Sequence, residues 1–212
     1  MLSAVTIISL ALIYVRPTEL VPGWEEVPLV AVASAVTAPL LGWALMEGRG
    51  RLTQLPQDRL LWVLYFAIVI SNIVSGYVGG AIASISAFAQ VVFQYLLIRT
   101  AVRTPEQVRG TIRWLTIFML VHALSGIQQV QTGVGFGGIE PLITENEEVR
   151  IRSVGIFNVP NVLALSMVVV IPFLLIAILE RGYGTLARVA SLATLTPLLI
   201  AYYYTNSRGG IL

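Results

Sequence analysis

The chain contains no cysteine and no lysine, has a single histidine, and carries charge at only 11% of its 212 positions. Without cysteine there can be no disulfide, iron–sulfur cluster or thiolate metal site, and one histidine argues against a histidine-built metal cluster. The expectation is metal-free chemistry with no cofactor. A net charge of +2 is too small to mark a partner of nucleic acid. Soluble domains carry about 25% charged residues, so 11% charge with 57% hydrophobic residues makes this an integral membrane protein. The first apolar run, MLSAVTIISLALIYV, lacks a basic leader and an A-x-A site before RPTE, and reads as a membrane helix, not as a cleaved signal peptide.

What the chain does have is long apolar runs. Crossing a hydrocarbon core about 30 Å thick takes roughly 17 to 25 apolar residues, and seven candidate spans fall at about 2–15, 28–46, 60–78, 81–98, 113–131, 160–179 and 189–205. The fold class is therefore all-α: a polytopic transmembrane helix bundle, read as a single multi-span membrane domain over 1–212. Spans three and four are separated only by GYVGGA, which predicts a tight hairpin turned by glycine. Pro39, Pro172 and Pro197 interrupt apolar runs and predict kinked helices.

All thirteen basic residues are arginine. Codon bias accounts for that as a bland reading, and bidentate recognition of phosphate as a functional one. Their placement orients the chain, because cytoplasmic loops hold an excess of basic residues. Arg49, Arg51 and Arg59 lie in the second loop, Arg99, Arg103, Arg109 and Arg113 in the fourth, and Arg181 and Arg188 in the sixth. Between them, Arg16 is outnumbered by Glu19, Glu25 and Glu26, and the segment 132–159 carries Glu140, Glu145, Glu147 and Glu148 against Arg150 and Arg152. The N-terminus is expected in the cytoplasm and 132–159 outside, as a flexible external loop.

Polar residues recur at helical spacing within the spans. Ser71, Ser75 and Gly79 run beside Asn72, Gly76 and Gly80; Ser86, Gln90 and Gln94 follow in the fourth span; His122, Ser125, Gly126 and Gln129 share one face of the fifth. These stripes are expected to look inward, either as hydrogen-bonded helix packing or as the wall of a polar cavity with His122, Gln129, Gln90 and Gln94 as its candidates. His122 lies nine residues from Arg113, about 14 Å along a helix, hence near the bilayer midplane, where an ionisable residue is a functional candidate. GVGFGG in the external loop lacks the lysine of a phosphate-binding loop and follows no strand, so a nucleotide site is set aside.

The external loop ends in VRIRSVGIFNVPN. Arg150 and Arg152, two apart, would share one face of an extended stretch. Asn158 or Asn161 could cap the next helix, with Pro160 in its first turn. The bland reading is a capped helix start whose arginines balance glutamates. The functional one is an anion site in which guanidinium groups and a helix N-terminus meet phosphate.

RSVGIFNVPNVLA, together with YYYTNSRGG at 202–210 and YVRPTELVP at 14–22, resembles the O-antigen ligase and O-antigen polymerase superfamily of bacterial inner-membrane proteins. Members show an arginine, a glycine two or three residues later and a Pro-Asn pair before a helix, then a Thr-x-Ser-Arg-Gly signature. The resemblance runs almost end to end. It implies transfer of a glycan from undecaprenyl diphosphate to an acceptor hydroxyl, on lipid A core, another glycan or a protein, at the outer face of the bacterial inner membrane. Arg152 is the first candidate contact for the lipid diphosphate, Arg208 the second and Arg150 the third. Superfamily members have more spans and a large later loop, which in ligases carries a histidine; His122 does not match that position. A chain ending at SRGGIL is therefore expected to be the front part of a longer one. The competing expectations are a transporter of a small solute such as inorganic carbon, for which no internal repeat is found, and an inactive fragment.

Overall fold

The computed structural model describes residues 2–21, 23–24, 27–48, 55–144, 147–180 and 182–207. Its elements in chain order are α1 (Leu2–Tyr14), α2 (Pro17–Leu20), α3 (Leu29–Met46), α4 (Pro56–Val74), α5 (Val78–Ala101), α6 (Pro105–Thr132), β1 (Leu142–Ile143), β2 (Val149–Arg150), α7 (Pro160–Leu179) and α8 (Thr185–Tyr204). Among the described residues, seven helical stretches are long and apolar enough to cross a membrane, α1 and α2 counting as one stretch over Leu2–Leu20. The protein is an all-α, multi-pass membrane protein whose outer helical faces contact lipid, as the apolar runs predict.

The chain divides into two compact units. One comprises Met1–Thr6 and Val32–Gln107, the other Ile7–Ala31 and Val108–Leu212. In the first, α4 and α5 form an antiparallel hairpin, and Leu41 of α3 packs with Val92, Leu96 and Leu97 of α5. The polar anchor of this unit is Asp58 in the first turn of α4. It accepts the Leu55 N–H at 2.7 Å and the Tyr95 hydroxyl at 2.8 Å, and pairs with Arg99 at 2.9 Å. A carboxylate in a helix's first turn satisfies donors that the helix itself cannot.

The turn of this hairpin is shorter than GYVGGA suggests. It occupies residues 75–77, and only Gly76 supplies a left-handed conformation, at φ 73°. Gly79 and Gly80 are already in α5. Gly80 instead provides space, because the Tyr77 ring lies where a Cβ would be. The small-residue rows also separate. Asn72 faces its neighbour and donates to Ser84 Oγ at 3.2 Å, while Ser71, Ser75, Gly79, Ser86 and Gln90 are exposed on the hairpin. Ser75 and Ser86 donate to carbonyls of their own helices, at 2.8 and 3.0 Å. A serine satisfied in this way can face lipid, so the expectation that the whole stripe looks inward does not hold.

In the second unit α7 and α8 form another hairpin. Pro172 and Pro197 lie inside these helices, as Pro39 lies inside α3. The unit's polar end is built from the α1–α2 corner, the end of α6, the 133–159 segment and the end of α8.

Candidate functional site

The site is organised around the last third of α6. This helix has 28 residues, about 42 Å at 1.5 Å per residue, which is longer than a hydrocarbon core about 30 Å thick. It begins at Pro105, not near Arg113, so His122 lies 17 residues, about 26 Å, from its start. His122 meets the end of α1 and the 151–157 segment.

The face His122, Ser125, Gly126 and Gln129 holds that segment in place. His122 is 1% exposed. Its Nε2 lies 2.9 Å from the Tyr14 carbonyl, which can only accept, so Nε2 carries the proton; Nδ1 then accepts from Ser153 Oγ at 2.7 Å. Gln129 pairs with the Arg152 backbone in both directions, donating to its carbonyl at 2.6 Å and accepting its N–H at 3.2 Å. Ser125 Oγ accepts the Phe136 N–H at 3.0 Å. Gly126 admits the Ile151 side chain, whose Cδ1 would stand 2.5 Å from a Cβ on that residue. Ile151, Phe157 and His122 are all buried, and the Phe157 ring packs on His122 with centroids 4.7 Å apart. The α6 stripe is thus hydrogen-bonded packing against a loop.

The loop itself is nested. Arg150 donates to Asn161 Oδ1 at 2.8 Å, and inside that pair Arg152 donates to Asn158 Oδ1 at 3.1 Å. Ser153 N–H closes on the Phe157 carbonyl at 2.8 Å, and Gly155 occupies the apex at φ 58°, a conformation that favours glycine. Both asparagines are used by arginines, so neither caps α7. Its N-cap is Val159, with Pro160 as the first helical residue and no side-chain cap. Within the loop, 133–144 forms a short 3-10 turn at Phe136–Gly138 and enters the β1–β2 ladder, with Leu142 opposite Arg150 and Ile143 opposite Val149.

The two arginines of VRIR diverge in role. Arg150 also donates from Nε to the Thr205 carbonyl at 2.9 Å, placing its charge at the C-terminal end of α8, where a cation is favourable. It joins α7 to α8. Arg152 donates from Nε to the Glu140 carbonyl at 2.8 Å as well as to Asn158. Both of its acceptors are neutral, leaving three of its five N–H groups with no protein acceptor among the described residues.

Arg152 lines a polar cavity of about 580 Å³ with Arg16, Glu19, Glu140, Ser153 and Asn158, floored by Gly138 and Gly155. Arg16 adopts a left-handed backbone at the α1–α2 corner, with φ 45°. Its guanidinium pairs with Glu19 and lies over Gly155, where a Cβ would approach Arg16 Cδ to 2.5 Å. Glu19 also accepts the Gly155 N–H, at 2.9 Å. Both Glu19 oxygens are therefore engaged, whereas Glu140 is an exposed residue of the lining.

Arg152 is thus brought to the cavity, and Arg150 is not among its lining residues. Arg208 lies outside the described residues. His122 and Gln129 are engaged beneath the loop; Gln90 and Gln94 belong to the other unit, exposed and half-buried respectively. Arg16, Glu19 and Glu140 are site residues that motif reading did not single out. YVRPTELVP contains the first two, but Glu19 meets Gly155 across 136 residues of sequence, a link that spacing cannot reveal.

Fold and site together define a multi-pass α-helical membrane protein with an arginine-bearing polar cavity at the end of one helical unit. Comparison of the chain with protein-family models, with curated proteins and with solved structures gives no match.

Proposed function

We propose that the cavity of the second unit binds the diphosphate of a polyprenyl-linked glycan, and that the protein is an O-antigen ligase-like glycosyltransferase of the bacterial inner membrane. The observation that carries this reading is the Arg152 guanidinium, positioned by two neutral oxygens and by Gln129 on its backbone, with its charge unmatched by a salt bridge among the described residues. Glycan transfer from a diphosphate carrier asks for cationic donors on the leaving group and a base for the acceptor hydroxyl. Arg152 supplies the first, with Arg16 beside it already paired to Glu19. Glu140, an exposed residue of the same cavity lining, supplies the second. The arginines at the start of α6 and before α8 mark the other end of this unit as cytoplasmic, so on this reading the cavity faces the side where such carriers present their glycan. Acceptors fitting this chemistry are lipid A core, a second glycan or a protein hydroxyl. Transport along a polar stripe draws no support from His122 and Gln129, whose polar atoms are bonded to Ser153, Tyr14 and Arg152.

The test is binding of undecaprenyl diphosphate to the purified protein. A charge-assisted hydrogen bond contributes about 1.5–3 kcal/mol, so Arg152→Gln should weaken binding roughly ten- to 150-fold. Glu140→Gln should retain binding and lose glycan transfer. Equal affinity of the Arg152→Gln and unaltered proteins would remove the diphosphate from this cavity.

A further inference from the structure

A second cavity lies at the other end of α6 and has the opposite character. It holds about 490 Å³ in a mainly apolar groove between α6, the C-terminal half of α7 and the N-terminal half of α8. On α6 it runs from Arg109 to Leu120. That is 11 residues, about 16 Å along the helix, or half of a hydrocarbon core about 30 Å thick. On α8 the lining is small, with Ala187, Ala190 and Thr194 where larger side chains would close the groove. At its mouth Arg109 and Arg113 stand one turn apart on α6. Both are exposed, neither has a hydrogen-bond or ion-pair partner among the described residues, and no carboxylate lines the groove.

We infer that this groove is a binding site for an anionic glycerophospholipid of the cytoplasmic leaflet. One acyl chain lies along α6 against the small residues of α8, and the headgroup phosphate sits between Arg109 and Arg113. The apolar length matches a single leaflet, and the two guanidiniums sit where a headgroup emerges from it. A soluble anion would use the mouth and leave the groove empty; a neutral lipid would fill the groove and leave two cations unanswered. Basic pockets between membrane helices on the cytoplasmic side select anionic headgroups in this way. The site is independent of the glycan-carrier cavity and shares no residue with it.

The experiment reconstitutes the full chain in nanodiscs containing equal phosphatidylglycerol and phosphatidylcholine, releases it, and measures retained lipid by native mass spectrometry. The unaltered protein should retain phosphatidylglycerol preferentially. Each guanidinium near the membrane surface contributes roughly fivefold, so Arg109→Gln with Arg113→Gln should reduce retention about thirtyfold. Ala190→Phe, which fills the groove without changing charge, should reduce it as well. No preference in the unaltered protein would overturn the proposal without any variant having to fold. Retention unchanged in the double variant would also overturn it. Loss in the double variant with full retention in Ala190→Phe would reduce the contact to surface attraction and remove the groove.

Discussion

Arg99 of the first unit and Arg152 of the second are both fixed by protein oxygens, yet they have opposite consequences. Arg99 meets the fully buried carboxylate of Asp58, which Tyr95 and the Leu55 N–H also bind. Its charge is cancelled where it stands, and the pair joins α4 to α5. Arg152 receives a carbonyl and an amide oxygen, which hold its position without cancelling its charge. One residue type thus serves as a fastener in one unit and keeps an uncancelled charge at a cavity in the other. The choice depends on whether the acceptor is ionised.

The largest effect should come from breaking the fastener. Asp58→Ala removes the carboxylate paired with Arg99, whose side chain is only 16% exposed, and removal of one partner of a buried pair costs about 3–5 kcal/mol. Denaturant unfolding of the purified protein measures this, and a loss below about 1 kcal/mol, the range of a surface pair, would erase the distinction between the two arginines. Next comes the support beneath the receptor. Gln129→Ala strands the Arg152 N–H and carbonyl, at about 1–3 kcal/mol for unsatisfied buried groups; undecaprenyl diphosphate affinity should fall with it, because the guanidinium loses its mount. Intact affinity would mean that Arg152 is positioned by Glu140 and Asn158 alone. The smallest effect belongs to Ser153→Ala. It removes one neutral hydrogen bond to His122, about 1 kcal/mol, while undecaprenyl diphosphate binding stays within about twofold, as RT sets the scale. A tenfold affinity loss there would place the Ser153 hydroxyl in contact with ligand.

The helices were readable because apolar length is a local property. α7 is observed at Pro160–Leu179, where the sequence places it. Helix α6 starts earlier than expected because Arg109 and Arg113 interrupt the apolar run without interrupting the helix. Loop chemistry was less readable. Asn158 and Asn161 carry the composition of helix caps, and only the fold shows that Arg152 and Arg150 reach them first. The α6 polar face could be found by its period, but period cannot distinguish a cavity wall from a seat for residues 151–157. Glu19 was the least accessible, since its role depends on a glycine more than a hundred positions away.

The nested loop also sets an order of assembly. Ile151 N–H bonds the Tyr204 carbonyl at 3.1 Å and Arg150 bonds Thr205, so the strand leading into Arg152 has its last attachments only after α8 has been made. Chains emerge from the ribosome at about 5–20 residues per second, and the Arg16 corner is synthesised almost 190 residues before Thr205. It therefore precedes the residues that tie down the Arg152 strand by roughly ten to forty seconds. During that interval the cavity lacks the α8 attachments that hold the strand leading into Arg152.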